Sequence, residues 1–328
     1  MIIDFHHHYL PEQIFLARGG VKGQVVRIVV DGRDANYLHD WNYDLDRQLA
    51  DMDEAGIDLM VLSCANGGES FQEARDWSDG AARAIKAYPG RFVALAPTQP
   101  TWGPETLAEL DRAVGELGMR GVSIRSQVLD YVPLDSRELW PFYETVSRLD
   151  VPIFVHPSRA AQGFAAVDTD WNSNITLTRE FDLMTAICRV IMGGVLEEFP
   201  TLKFVFSHMG GGIAALWERV ERYANYWGPK FWGWDRKESP LSRPVRDYLD
   251  MLYFDMAGAE GGMNAVRCAL TTLTPDQLVF GTDYPAEFTN KGAEMRRYIG
   301  NIRALDLPAE QTEAMLGGTA ARLLKLDR

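Results

Sequence analysis

The chain has 328 residues, 46% of them hydrophobic, enough for one large α/β domain with an extensive core or for two ordinary domains. Its 33 basic against 46 acidic side chains leave a formal charge of −13, which argues against nucleic acid as a partner, because phosphate binding needs clustered Lys and Arg. Met1 opens straight into an apolar strand without a basic leader, and no later apolar run could span a bilayer, so the expectation is a cytoplasmic protein with no membrane partner.

The first predicted strand, 2–6, runs into His6-His7-His8. Side chains alternate along a strand, so His6 and His8 point one way and His7 the other. Two imidazoles on one face can share a metal ion; a His-rich polar turn or a tag fragment is the competing reading. A long connection over 9–43 follows. Helical periodicity over 44–56, 76–88 and 106–117 then alternates with strands at 57–63, 92–97 and 121–125, with Gly56, Gly90 and Gly118 punctuating the returns as helix C-terminal caps do. A helix over 136–149 leads to a fifth strand, 152–156, which ends in Val155-His156-Pro157. After a second long connection, 157–177, and a helix over 178–198, a sixth strand at 202–208 ends in Ser207-His208-Met209-Gly210-Gly211. A helix over 212–226, a third long connection at 227–250, a strand at 252–256 and a helix over 259–270 precede the last strand, 278–283, which ends in Asp283-Tyr284-Pro285.

Most of these strands are continuously apolar, as in a parallel sheet covered by helices on both faces. Eight strands alternating with helices predict a single (β/α)8 TIM barrel over 1–328, with a doubly wound open sheet as the second choice; no GxGxxG follows the first strand to favour the latter. A minimal barrel takes about 250 residues, so the surplus falls in the three long connections. The first two directly follow strands, on the face where barrel enzymes keep their active sites. The Trp-rich stretch 217–234 reads as packing on the barrel exterior or as a subunit contact. Cys64, Cys188 and Cys268 are dispersed and read as small buried hydrophobes.

Four of the six histidines, His6, His8, His156 and His208, fall at predicted strand ends, joined by Asp283 on the closing strand next to the first. That combination points to a site on the C-terminal face of the barrel. Imidazole and carboxylate suit a borderline divalent ion, zinc first and manganese as the alternative.

In this order, Asp4-Phe5-His6-His7-His8-Tyr9-Leu10-Pro11, Met52-Asp53-Glu54-Ala55-Gly56-Ile57-Asp58, Val155-His156-Pro157, Gly193-Gly194-Val195-Leu196-Glu197-Glu198-Phe199-Pro200, Ser207-His208-Met209-Gly210-Gly211-Gly212 and Gly281-Thr282-Asp283-Tyr284-Pro285 resemble the amidohydrolase superfamily, in its group related to aminocarboxymuconate semialdehyde decarboxylase. The resemblance covers nearly the whole chain. It implies one metal ion held by His6, His8, His156 and Asp283, with His208 and Asp283 serving proton transfer. Two-metal members bridge their ions with a modified lysine at the end of strand four; here that strand reads Gly121-Val122-Ser123-Ile124-Arg125, so a mononuclear site with one open position is expected. Arg125 could clamp a substrate carboxylate or pair with an acidic loop residue. Decarboxylases of the group carry a substrate-binding arginine near the start of the helix after strand one. Alignment on Met52-Asp53 puts Gln48 there and Arg47 one residue off, leaving Arg47 as a second candidate. Tyr9, Arg159, Trp171 and Phe288 could line the pocket or simply pack their loops.

The implied activity is nonoxidative decarboxylation of an aromatic or muconate-like carboxylic acid. The alternative is a metal-dependent hydrolase or hydratase acting on a lactone, amide or muconate-type substrate through an activated water. A barrel that only binds or assembles is disfavoured by the presence of all five site positions. Relatives in the group make a homodimer or larger homo-oligomer the expectation.

Overall fold

The computed structural model describes residues 1–326 apart from 31–32, 65–67, 129–131, 159–172, 227–239, 258–261 and 287–290. Eight parallel strands follow one another in chain order: β1 (Ile3–His8), β2 (Leu59–Ser63), β3 (Phe92–Pro97), β4 (Gly121–Arg125), β5 (Pro152–His156), β6 (Lys203–Phe206), β7 (Tyr253–Asp255) and β8 (Leu278–Val279). Backbone bonds close the seam between last and first, Phe5 N–H donating to Phe280 O at 2.8 Å and His8 N–H to Tyr284 O at 2.7 Å. The (β/α)8 expectation holds, and the open sheet is excluded.

The outer ring consists of α1 (Leu45–Ala55), α2 (Phe71–Ala87), α3 (Pro104–Gly115), α4 (Trp140–Leu149), α5 (Arg179–Met192), α6 (His208–Tyr226), α7 (Met263–Ala269) and α8 (Lys291–Arg303). Local chemistry sets their ends: in α1 the Asp44 carboxylate accepts the Arg47 N–H, and Gly56 ends the helix in the left-handed region. The helix expected over 178–198 is broken at Gly194, whose φ of 80° lets a separate turn, Val195–Glu198, begin. The predicted elements stop at Asp283 and miss α8, although Gly292, Met295, Tyr298, Ile299 and Ile302 are buried at helical spacing. Arg296 of α8 donates to Glu54 O of α1, so the last helix packs beside the first.

Beneath the continuous apolar runs lies an alternation. Ile3, Phe5, Val61, Leu95, Phe154 and Val205 point into the barrel, closed at its N-terminal end by Ala320, Leu323 and Leu324. Met60, Leu62, Val122, Ile124, Ile153 and Val155 point outward beneath the helices. Strict alternation would set Phe5 and His6 on opposite faces, yet both rings meet Phe154, at 5.8 and 5.0 Å between centroids. A register shift between Asp4 and His7 allows this. Phe5 therefore completes the apolar interior, and His6 and His8 stand at the mouth above it.

Within the 9–43 connection, Val26–Val30 pairs antiparallel with Arg33–Leu38. Most of the 157–177 and 227–250 connections lie outside the described residues, as do Arg159, Trp171, Phe288 and the aromatic part of the Trp-rich stretch from Trp227 on. Trp217, at the start of that stretch, is buried in the core as packing. Among the described residues no helix is long and apolar enough to cross a membrane.

Candidate metal centre

His6 and His8 arrive at the mouth on the end of β1 and His156 on the end of β5, while His208 and Asp283 come in the segments just after β6 and β8. Register pairing sets Arg125 of β4 beside His156 of β5. Gly281 brings the chain after β8 against β1: a Cβ there would lie 2.9 Å from that of His6. Asp283 follows with φ 54°.

Hydrogen bonds determine which ring nitrogen carries the proton. His6 Nδ1–H donates to Asp255 Oδ2 at 2.8 Å, and His156 Nδ1–H donates to Pro157 O at 3.0 Å. Both acceptors can only accept, so Nδ1 carries the proton of each neutral ring and Nε2 is the nitrogen left to face a metal. The His156 Nε2 is buried without a partner among the described residues. His6 Nε2 lies 3.2 Å from His8 Nε2 and 3.2 Å from Asp283 Oδ1, and His8 Nε2 lies 2.7 Å from the same oxygen. Ring nitrogens crowded this closely on a carboxylate need positive charge among them, supplied by protons or by a metal ion that replaces them. The donor set therefore fits a divalent metal ion. One donor atom each from His6, His156, His208 and Asp283 lies within 4.8 Å of the others, and His8 adjoins this group.

Electrostatics agree. Burial would depress His6, but Asp255 and Asp283 outweigh it and raise His6 well above its ordinary value, so a proton occupies the place a metal would take. Burial drives His156 well below its ordinary value and lowers His8 and His208, the last to about 4. Burial opposes ionisation of Asp283, yet His6 and His8 hold it well below the usual carboxylate range.

His208 is held by an unusual turn. Residues 208–212 all have positive φ, from 52° at His208 to 83° at Gly212, before α6 continues as a regular helix. Side chains rarely tolerate such a run, and at Gly211 a Cβ would lie 2.0 Å from Glu180 O, where nothing but glycine fits. The turn aims His208 Nε2 at Asp283 Oδ2, 3.9 Å away, and Nδ1 at Glu180 Oε1, 3.7 Å away. Asp255 secures both histidines, since its Oδ1 accepts the His208 backbone N–H at 2.9 Å.

Asp255 and Glu180 were missed by sequence reasoning. Asp255 carried a signal, an acidic residue ending an apolar strand like Asp283, whereas Glu180 carried none. Arg125 is at the mouth, its Nη2 3.5 Å from Gly68 O and its charge acting on Glu73. Arg47 is partly exposed, its guanidinium 4.5 Å above the Trp41 ring and 3.7 Å from Asp44. Gln48 is fully buried and turned to His7, 3.1 Å from its Nε2. Tyr9 is buried against Trp77, whose Nε1–H donates to the Tyr9 carbonyl, so it belongs to the core.

A parallel eight-stranded barrel with histidines and an aspartate converging at the C-terminal mouth defines a metal-dependent barrel enzyme. The chain belongs to the amidohydrolase family, whose model matches residues 3–326. It is 30% identical over 303 residues to the gamma-resorcylate decarboxylase of Polaromonas sp. strain JS666, covering 86% of this chain and 88% of that protein. It is 25% identical over 344 residues to the 2-amino-3-carboxymuconate-6-semialdehyde decarboxylase of Dictyostelium discoideum, covering 99% and 92%. Its fold matches the crystal structure of a dihydroxybenzoic acid decarboxylase from Polaromonas sp. JS666, which holds manganese and the inhibitor 2-nitroresorcinol, with a TM-score of 0.79 at 24% identity over 100% of this chain and 97% of that one.

Proposed function

We propose that this protein is a metal-dependent nonoxidative decarboxylase of an aromatic or muconate-like carboxylic acid. The observation that carries the reading is the convergence of imidazole nitrogens and the Asp283 carboxylate at the barrel mouth, with His208 and Glu180 beside them. The full-length similarity to decarboxylases supports it.

In this reading His6, His8, His156 and Asp283 hold the ion, and His208 is kept for proton movement. Three imidazoles and a carboxylate suit zinc, and the similar Polaromonas structure holds manganese. A divalent ion here would supply a positive charge against which a substrate oxygen is held and its developing negative charge spread.

The reaction needs a proton at the carbon that bears the carboxylate. As the carbon–carbon bond breaks, its electron pair returns to the substrate skeleton and carbon dioxide leaves. Glu180 and His208 form a path for that proton. Burial pushes Glu180 up to about 7 against the pull of Arg179, so it retains a proton near neutrality. His208 is neutral there because burial lowers it. A neutral imidazole can give its Nε2 proton toward the substrate while Nδ1 takes one from Glu180. The Nδ1–Oε1 separation is 3.7 Å, so the transfer requires it to shorten to hydrogen-bonding length in the substrate complex.

The test is mass spectrometry of a panel of hydroxybenzoates, carboxymuconates and related lactones incubated with protein loaded with zinc or manganese. Products lighter by one carbon dioxide, absent after chelation, support the decarboxylase. Products heavier by one water instead select the hydrolase or hydratase reading.

A further inference from the structure

Arg179 opens α5, and its place on that helix decides where it looks. Asp182, Leu183, Ala186, Ile187, Val190 and Ile191 form the buried stripe of α5. Arg179 continues the stripe by one turn toward the mouth, at i−3 from Asp182 and i−4 from Leu183. The next residue, Glu180, reaches toward His208, and its backbone is jammed against the glycine turn. Arg179 itself is half-buried, and its Nε is wholly buried without a hydrogen-bond partner among the described residues.

Among the described residues no neighbouring carboxylate pairs with this charge, although it pulls on Glu180. Glu180 is directed to His208, and both oxygens of Asp182 accept bonds from Ser126 and Gln127 at the end of β4. Yet the Arg179 charge is felt at His8, His156 and His208. A guanidinium with a buried, unbonded N–H beside a cluster of metal-binding imidazoles is costly unless an anion completes it. The other two candidate anchors are engaged, Arg47 with Trp41 and Asp44 and Arg125 with the loop at Gly68 and the field of Glu73.

We infer that Arg179 is the anion-gripping residue of this site, its guanidinium taking a carboxylate of the bound organic acid beside the metal-binding histidines. The inference rests on the decarboxylase reading for the substrate class and on the chain's own geometry for the residue.

Two probes that differ only by the carboxylate, 2,6-dihydroxybenzoate and resorcinol, test it by calorimetric binding to metal-loaded wild type, Arg179→Gln and Arg179→Lys, with metal content measured on each protein. For Arg179→Gln the expected result is a Kd for the acid weakened about ten- to a hundredfold, as loss of a charge-assisted pair entails, with resorcinol binding and metal content unchanged. Arg179→Lys keeps the charge without the fork and is expected to recover part of the affinity. Equal affinity of wild type and Arg179→Gln for the acid, whether tight or absent, overturns the inference, as does a loss of metal that accounts for the weaker binding. Failure of the decarboxylase reading is seen separately: a wild type that binds the acid through Arg179 yet releases no carbon dioxide keeps the inference and loses the activity.

Discussion

Asp255 joins His6 to His208: one carboxylate oxygen accepts the His6 Nδ1–H at 2.8 Å and the other accepts the His208 backbone N–H at 2.9 Å. The first bond fixes the His6 tautomer with its Nε2 free to bind metal, and the second anchors the left-handed turn. Asp255→Asn retains an acceptor for the backbone but turns an NH2 toward His6 Nδ1, forcing the proton to Nε2. Metal affinity is expected to fall about 10- to 100-fold, read by competition with a chromophoric chelator, while the circular dichroism spectrum is retained. Unchanged affinity would show that Asp255 does not set the tautomer.

The proton role proposed for His208 is separable by mutation from a role in holding the ion. His156→Ala is expected to abolish stoichiometric metal binding. His208→Gln is expected to keep one ion per chain while kcat falls about 10²- to 10⁴-fold, the usual range for a lost acid–base group. Glu180→Gln should leave the ion in place and lower kcat as well. Metal analysis of His208→Gln is the deciding measurement; an ion lost with this side chain would make His208 a ligand.

Two neighbouring glycines separate strain from collision. Gly211 and Gly212 have φ of 67° and 83°, but only at Gly211 would a Cβ meet a backbone oxygen, and at Gly212 it meets nothing within 4 Å. Gly212→Ala is expected to lose about 1–2 kcal/mol, the left-handed penalty alone. Gly211→Ala should exceed about 3 kcal/mol, because the collision forces backbone to move. Urea unfolding of the two variants gives the comparison, and equal losses would remove the steric account.

His7 stacks on Tyr284 at 4.7 Å between ring centroids and bonds to buried Gln48. Burial lowers it from 6.5 to about 3. Below 6.5 the unfolded chain protonates this imidazole and the folded chain does not, so its contribution to stability is present above 6.5 and is lost as pH falls toward 3. Asp4, raised to about 7 by burial, works in the opposite sense, so the difference between wild type and His7→Gln is the quantity to follow. Unfolding free energies of the metal-free proteins are expected to diverge by about 1.4 kcal/mol per pH unit in that window, wild type losing the more. Parallel curves would mean that His7 titrates normally in the fold.

The strands of this barrel were legible because parallel strands buried on both faces leave uninterrupted apolar runs. β3, β4 and β5 fall where the pattern placed them. α8 shows the same logic unread, its buried residues recurring at helical spacing among many charges. His6, His8, His156, His208 and Asp283 were legible because each ends such a run, and in a parallel barrel every strand end opens on the same mouth. Arg47 and Gln48 mark the limit, for neighbours on a helix differ by about 100° in direction, and only packing turned Gln48 inward to His7 and left Arg47 over Trp41.

The sequence by itself determined the barrel and the residues at its mouth, since alternation of apolar runs and helical periodicity is local chemistry. The tertiary structure alone decided the shift that sets His6 above Phe5, the Asp255 bond that frees the His6 Nε2, and the approach of Glu180 and Arg179 to the histidines. These depend on contacts between segments far apart in the chain, where spacing carries no information and packing, charge and hydrogen-bond geometry choose the partners.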